Sequence, residues 1–144
     1  MSTEENKAIA RRWNEELFDK GNPDIVDELA HPDYVGHPGM TARETFKQNM
    51  MQYRGVLSDA RITLDDVIAE GDRVAFRWTA HVTHSGPYMG VQPTGKRLTW
   101  TGISIYRIAG GKIVEDWASG DELGMMQQLG IAPDMSQVSE SSWD

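Results

Sequence analysis

With 144 residues, a formal net charge of −8 and no cysteine, the chain excludes several protein classes at once. The length fits one domain, and such a chain buries about 70% of the surface it exposes when unfolded. The missing cysteine removes disulfides, thiolate nucleophiles and cysteine metal sites, and it suits a reducing cytoplasm. The acidic balance argues against nucleic acid and anionic membrane as partners. Residues 1–10 are polar and acidic, unlike a signal peptide, and no apolar run nears the roughly 20 residues a bilayer demands. A cytoplasmic protein with neither nucleic-acid nor membrane partner is therefore expected.

Taken in chain order, Ser2-Thr3-Glu4-Glu5 is a capping box that opens a first helix. Ala10, Trp13, Leu17 and Phe18 form its apolar face, and Lys20-Gly21 ends it. Asn22-Pro23 starts a short second helix through Ile25, Val26 and Leu29, which Pro32 stops by His31. His31 to His37 reads as a short loop-strand stretch. Thr41-Ala42-Arg43-Glu44 is a second capping box, and Phe46, Met50, Tyr53 and Leu57 give the third helix one apolar face.

From Ala60 the apolar period changes to two. Residues 61–69, 73–84, 97–108 and 112–118 read as strands, with turns at Glu70-Gly71-Asp72 and Ala109-Gly110-Gly111. Residues 85–96 form a loop rich in proline and glycine. Ser119-Gly120-Asp121-Glu122 caps a last helix carrying Leu123, Met126 and Leu129, which Gly130 stops. The expected architecture is α+β: a curved antiparallel sheet wrapped by three N-terminal helices into a cone, with an internal pocket and a short C-terminal helix. The domain spans 1–132, and 133–144 is a polar tail.

Asp116 is the foremost candidate for chemistry. Strand alternation places Val114, Asp116 and Ala118 on one inward face, and a carboxylate there is costly unless paired or protonated. Burial raises its pKa and makes it a candidate general acid or base. The structural alternative is an aspartate that caps a loop or pairs with Arg77 or Arg107. His37 is expected at the pocket mouth. His81 and His84, three apart on a strand, face opposite ways, so no metal site is expected. Trp13, Trp78, Trp100, Tyr34 and Tyr53 are candidate pocket residues, with core packing as the alternative. Trp100 is preferred, because it shares a face with the small residues Gly102 and Ser104. Tyr34, Tyr88 and Tyr106 are candidate donors to an oxyanion. No phosphate loop, nucleophile elbow or cofactor fingerprint is present in the sequence, and no cofactor is expected.

Several segments together resemble the SnoaL-like polyketide cyclases and the broader "ester cyclase" group. They are Asn6 to Trp13, Gly21-Asn22, His31-Pro32-Asp33-Tyr34-Val35-Gly36-His37 and Ala69-Glu70-Gly71-Asp72-Arg73-Val74. Pro93-Thr94-Gly95-Lys96-Arg97, Trp100-Thr101-Gly102, Gly111 to Trp117 and Asp121 to Gly130 extend the match. The resemblance implies the cone fold of the nuclear-transport-factor-like superfamily, usually as a homodimer. It implies ring closure by intramolecular aldol condensation without metal or cofactor, with the aspartate of an Asp-Trp pair as acid/base. Asp116-Trp117 stands at that place. The sequence departs from ring-forming members at Gly102, Ser104 and Val114, where those carry polar residues or histidines.

The leading expectation is therefore an enzyme that moves a proton beside a carbonyl of a hydrophobic substrate, with Asp116 as the shuttle and His37 or a tyrosine as the donor. A non-catalytic binding protein for a hydrophobic metabolite is the alternative. A scaffold with an aromatic-filled cone is a third.

Overall fold

The computed structural model describes residues 2–132, so the tail expected at 133–144 lies outside the described residues. Helix α1 (Thr3–Asn14) opens on the capping box: the Ser2 hydroxyl accepts from the Glu5 N–H at 3.1 Å, and the Glu5 carboxylate accepts from the Ser2 N–H at 3.3 Å. The helix then widens into a π-helical turn, Glu15–Asp19. The loose carbonyls of Leu17 and Phe18 both accept from Arg54 Nη1, a cation at the helix end where the dipole favours one.

Helix α2 (Asp24–Leu29) buries Ile25, Val26 and Leu29 and gives way to strand β1 (Ala30–His37). Thr41 was expected to cap the next helix. Its backbone instead pairs with Gly36 in a two-residue strand β2 (Thr41–Ala42), so helix α3 (Arg43–Val56) starts at Ala42 without a side-chain cap. Strand β3 (Leu57–Glu70) begins ahead of the alternating stretch, through a register shift between Ser58 and Arg61 where Asp59 has φ 50°.

Strands β4 (Arg73–His84), β5 (Arg97–Ala109) and β6 (Lys112–Gly120) complete a curved six-stranded sheet of order β2-β1-β6-β5-β4-β3. The β1–β6 junction is parallel and the others antiparallel. Along β4, Val74, Phe76, Trp78, Ala80 and Val82 are all buried on the inner face. A large apolar side chain buried this way contributes about 1.5–3 kcal/mol, so this strand anchors the core.

Two local departures matter for the interior. On β6, Glu115 pairs with Arg107 but Ile113 pairs with Ile108, so Val114 is an extra residue in the ladder. Ile113 and Asp116 are consequently both buried, and simple alternation from Val114 to Asp116 does not hold across this strand. On β5, a Cβ at Gly102 would fall 2.2 Å from Trp78 Cζ2. The space expected beside Gly102 for a ligand is filled by the Trp78 indole.

Helix α4 (Glu122–Gln128) is capped by Asp121, whose Oδ1 accepts from the Gly124 N–H at 2.8 Å. It buries Met125 and Leu129, while Leu123 of the expected face is exposed. Starting at Glu122, the helix turns the i, i+4 pair Met125 and Leu129 toward the sheet. No residue of α3 is buried, although its apolar face is intact. That face borders empty space.

Candidate active site

The concave face of β4, β5 and β6, the end of α1 with its π-helical turn, and the apolar face of α3 enclose a cavity of about 340 Å³. Its walls are mainly apolar and aromatic, with a few polar groups, which is the usual make-up of a small-molecule site. Trp13, Trp78 and Trp100 all line it. Trp13 stacks on Phe46 of α3 at 5.6 Å, and Trp78 meets Trp100 edge to face at 5.4 Å. Tyr53 lies at the rim, 41% exposed.

Asp116 forms part of the wall and is 8% exposed. Its Oδ2 accepts from the Tyr34 hydroxyl at 3.1 Å, while Oδ1 is buried without a partner. Neither arginine considered for a salt bridge reaches it: Arg77 pairs with Asp65 and Asp66, and Arg107 with Glu115. Burial pushes the Asp116 carboxyl up from 3.8 to about 6, against the opposing pull of the Tyr34 hydrogen bond and the His37 charge. A carboxyl raised in this way is a candidate for proton exchange near neutral pH.

Tyr34 is 1% exposed and stands behind Asp116 instead of lining the cavity. Burial, and then the Asp116 charge, push its phenol well up, so it stays a neutral donor. His37 borders the cavity, but its Nε2 lies 3.1 Å from Glu115 Oε2 and its ring stacks on Trp117 at 5.1 Å. Glu115 and Trp117 flank Asp116 on β6, so this ring belongs to the opposite face of the sheet. His37 and Arg107 hold the Glu115 carboxyl below the usual range.

Of the three candidate oxyanion donors, Tyr106 is the one that reaches the cavity beside Asp116, and its partner Asn14 was not singled out from sequence. Tyr106 is the cross-strand partner of Asp116 and lines the cavity. Its hydroxyl accepts from Asn14 Nδ2 at 3.2 Å, which leaves its proton free for a ligand oxygen. Burial, then the Asp116 charge, raise its phenol far up and keep it protonated. Asn14 is itself fixed by a 2.8 Å bond to the Ala10 carbonyl. A polar residue on the buried face of a helix was the available sign. Ser104 also lines the cavity and accepts from Trp78 Nε1 at 3.0 Å. Among the described residues no group of histidine, aspartate or glutamate side chains is placed to hold a metal. No helix among them is long and apolar enough to cross a membrane.

Residues 8–129 match the family model of the SnoaL-like polyketide cyclases. The chain is 31% identical to the nogalonic acid methyl ester cyclase of Streptomyces nogalater, over 78% of this chain and 89% of that protein. It is 29% identical to the aklanonic acid methyl ester cyclase AcmA of Streptomyces galilaeus, over 88% and 91%. Among solved structures, AclR, a proposed hydroxylase from Streptomyces galilaeus, superposes with a TM-score of 0.85 at 28% identity, covering 99% of this chain and 93% of that one. IdmH, a proposed polyketide cyclase from Streptomyces antibioticus, superposes with a TM-score of 0.76 at 32% identity, covering 86% and 98%. By its sequence and its cone-shaped α+β fold, the chain belongs to the SnoaL-like polyketide cyclase family.

Proposed function

We propose that the protein is a cofactor-independent enzyme that rearranges a hydrophobic carbonyl compound through proton transfer by Asp116. One observation carries this reading. Asp116 sits in the wall of an apolar cavity with one oxygen held by Tyr34 and the other without a partner. The pinned carboxylate is oriented, and its free Oδ1 is the atom that takes a proton from the carbon beside the substrate carbonyl.

The electron pair released from that C–H bond moves onto the carbonyl oxygen. Tyr106, neutral and with its proton uncommitted, donates a hydrogen bond to that oxygen. In a ring closure the enolate carbon then attacks a second carbonyl of the same molecule. A C–C bond forms, and the new alkoxide recovers the proton from Asp116. The product is an isomer of the substrate, so the balance needs no oxidant, reductant or metal. His37, paired with Glu115, takes no proton in this scheme.

Deuterium uptake by the acetyl methyl of 2-acetylnaphthalene in heavy water, followed by proton NMR, tests the reading. The protein accelerates exchange and Asp116→Asn returns it to background. Full exchange by Asp116→Asn, with ligand still bound, refutes the acid/base role. Binding without exchange in the unmodified protein leaves a carrier of hydrophobic metabolites. The family's homodimer is a reading of the same kind: exposed Ile103 and Ile105 on the convex face of β5 support it, and sedentimentation of Ile103→Lys as a monomer checks it.

A further inference from the structure

The cavity has a second polar corner, which proton transfer leaves unused. Trp100 Nε1 is buried and has no hydrogen-bond partner. The indole is held edge to face by Trp78, so its N–H is aimed, not swinging. It looks onto Gly120 at the end of β6. A Cβ on Gly120 would lie 2.7 Å from Trp100 Nε1 and 3.0 Å from Glu122 Oε1. Gly120 and Glu122 both line the cavity, Glu122 reaching in from the exposed start of α4. Trp100 Nε1, a donor without a partner, and Glu122 Oε1, an acceptor, thus both close over Gly120 at the cavity wall.

The chemistry of those two atoms selects a ligand group. An indole N–H only donates, and an ionised carboxylate only accepts. A hydroxyl satisfies both, its oxygen accepting from Trp100 and its hydrogen going to Glu122. An ether or ketone oxygen would satisfy Trp100 but turn lone pairs on Glu122. A carboxylate would be repelled by Glu122, and an ammonium would leave Trp100 without an acceptor.

The corner is also remote from the reacting end. Trp100 pairs across the sheet with Ala80, Gly102 with both Trp78 and Gly120, and Tyr106 with Asp116. Along β5 the step from Tyr106 to Trp100 spans about 20 Å of backbone, with Trp78 between them. We propose that the substrate carries a hydroxyl at the end remote from its reacting carbonyl, seated between Trp100 Nε1 and Glu122 over Gly120. This rests on the reading of the cavity as a site for a hydrophobic carbonyl compound.

Two probes of equal length test it: 6-hydroxy-2-acetylnaphthalene and 6-methyl-2-acetylnaphthalene. Calorimetry on the unmodified protein gives about tenfold tighter binding of the hydroxyl probe, the effect of paired hydrogen bonds to a charged and a neutral partner. Trp100→Phe and Glu122→Ala each weaken the hydroxyl probe several-fold more than the methyl probe. Equal affinity of the unmodified protein for both probes overturns the subsite. So does equal weakening of both by Trp100→Phe, which would mark Trp100 as packing alone, and so does failure of both to bind. Deuterium uptake by the methyl probe reports on Asp116 and not on this corner, so either proposal can fail while the other stands.

Discussion

Tyr34 and Asp116 are separated by 82 positions in the chain, yet the hydroxyl of one lies 3.1 Å from the carboxylate of the other. The parallel pairing of β1 with β6 makes the contact, setting Gly36 beside Asp116 in the ladder. Without that bond Oδ2 would be a second buried oxygen in want of a donor. With it the carboxylate has a fixed direction. Tyr34→Phe is therefore expected to raise the Asp116 pKa further, because the bond favours the charged form. The rising limb of a pH–exchange profile moves to higher pH, whereas loss of activity without a shift would deny the coupling.

The unmodified protein has its own predicted profile. Asp116 must be ionised to take a proton, and its carboxyl is pushed up to about 6. Exchange at low substrate concentration rises as pH passes through about 6 and levels off above it. A flat profile from pH 5 to 8 would remove Asp116 from the role of base.

Asp116→Asn is expected to stabilise the fold at neutral pH while removing activity. The folded-state pKa is above the usual value of 3.8, so the folded form holds this proton more tightly than the unfolded chain does. The stability it supports is complete below about pH 4 and is lost as pH rises through about 6. The rise is worth about 3 kcal/mol, reduced in the variant by whatever bond to Tyr34 is weakened. Urea melts of both proteins at pH 4 and pH 7 give the comparison. The variant's advantage should be present at pH 7 and absent at pH 4.

Gly102→Ala probes the wall. The new methyl meets the Trp78 ring and the Ser119 carbonyl, at 2.2 and 2.7 Å before relaxation. Displacing an indole from a packed position costs about 1–3 kcal/mol. The ring has only the cavity to move into, so ligand affinity falls along with the denaturation midpoint.

Local pattern carried much of this fold. β4 runs over the same residues that alternation in the sequence marks, and the Ser2 box caps α1 as its residue types require. The failures have physical causes. Thr41 offers a good cap, but a sheet edge beside it takes its backbone first. Val114 adds a residue to β6, and nothing in its own chemistry announces a bulge. Asp116 could be picked out as an inward carboxylate from its own strand. Tyr34 and Tyr106 were named as candidate donors, but their places beside Asp116 could not be read, because register between distant strands is set by the assembled sheet.

Helix α3 has an apolar face and no buried residue. Phe46 packs on Trp13 and Tyr34, but Met50 and Tyr53 look into the cavity, so the helix has less of the packing that normally holds such a face in place. A hydrophobic ligand is therefore expected to complete this interior, leaving the empty protein the looser of the two. Amide protons of α3 should exchange faster in the free protein than in the complex. A compound present at a hundred times its dissociation constant adds about 2.7 kcal/mol to the folded state. Heat resistance in a library of hydrophobic carbonyl compounds then identifies the natural occupant before any reaction has been seen.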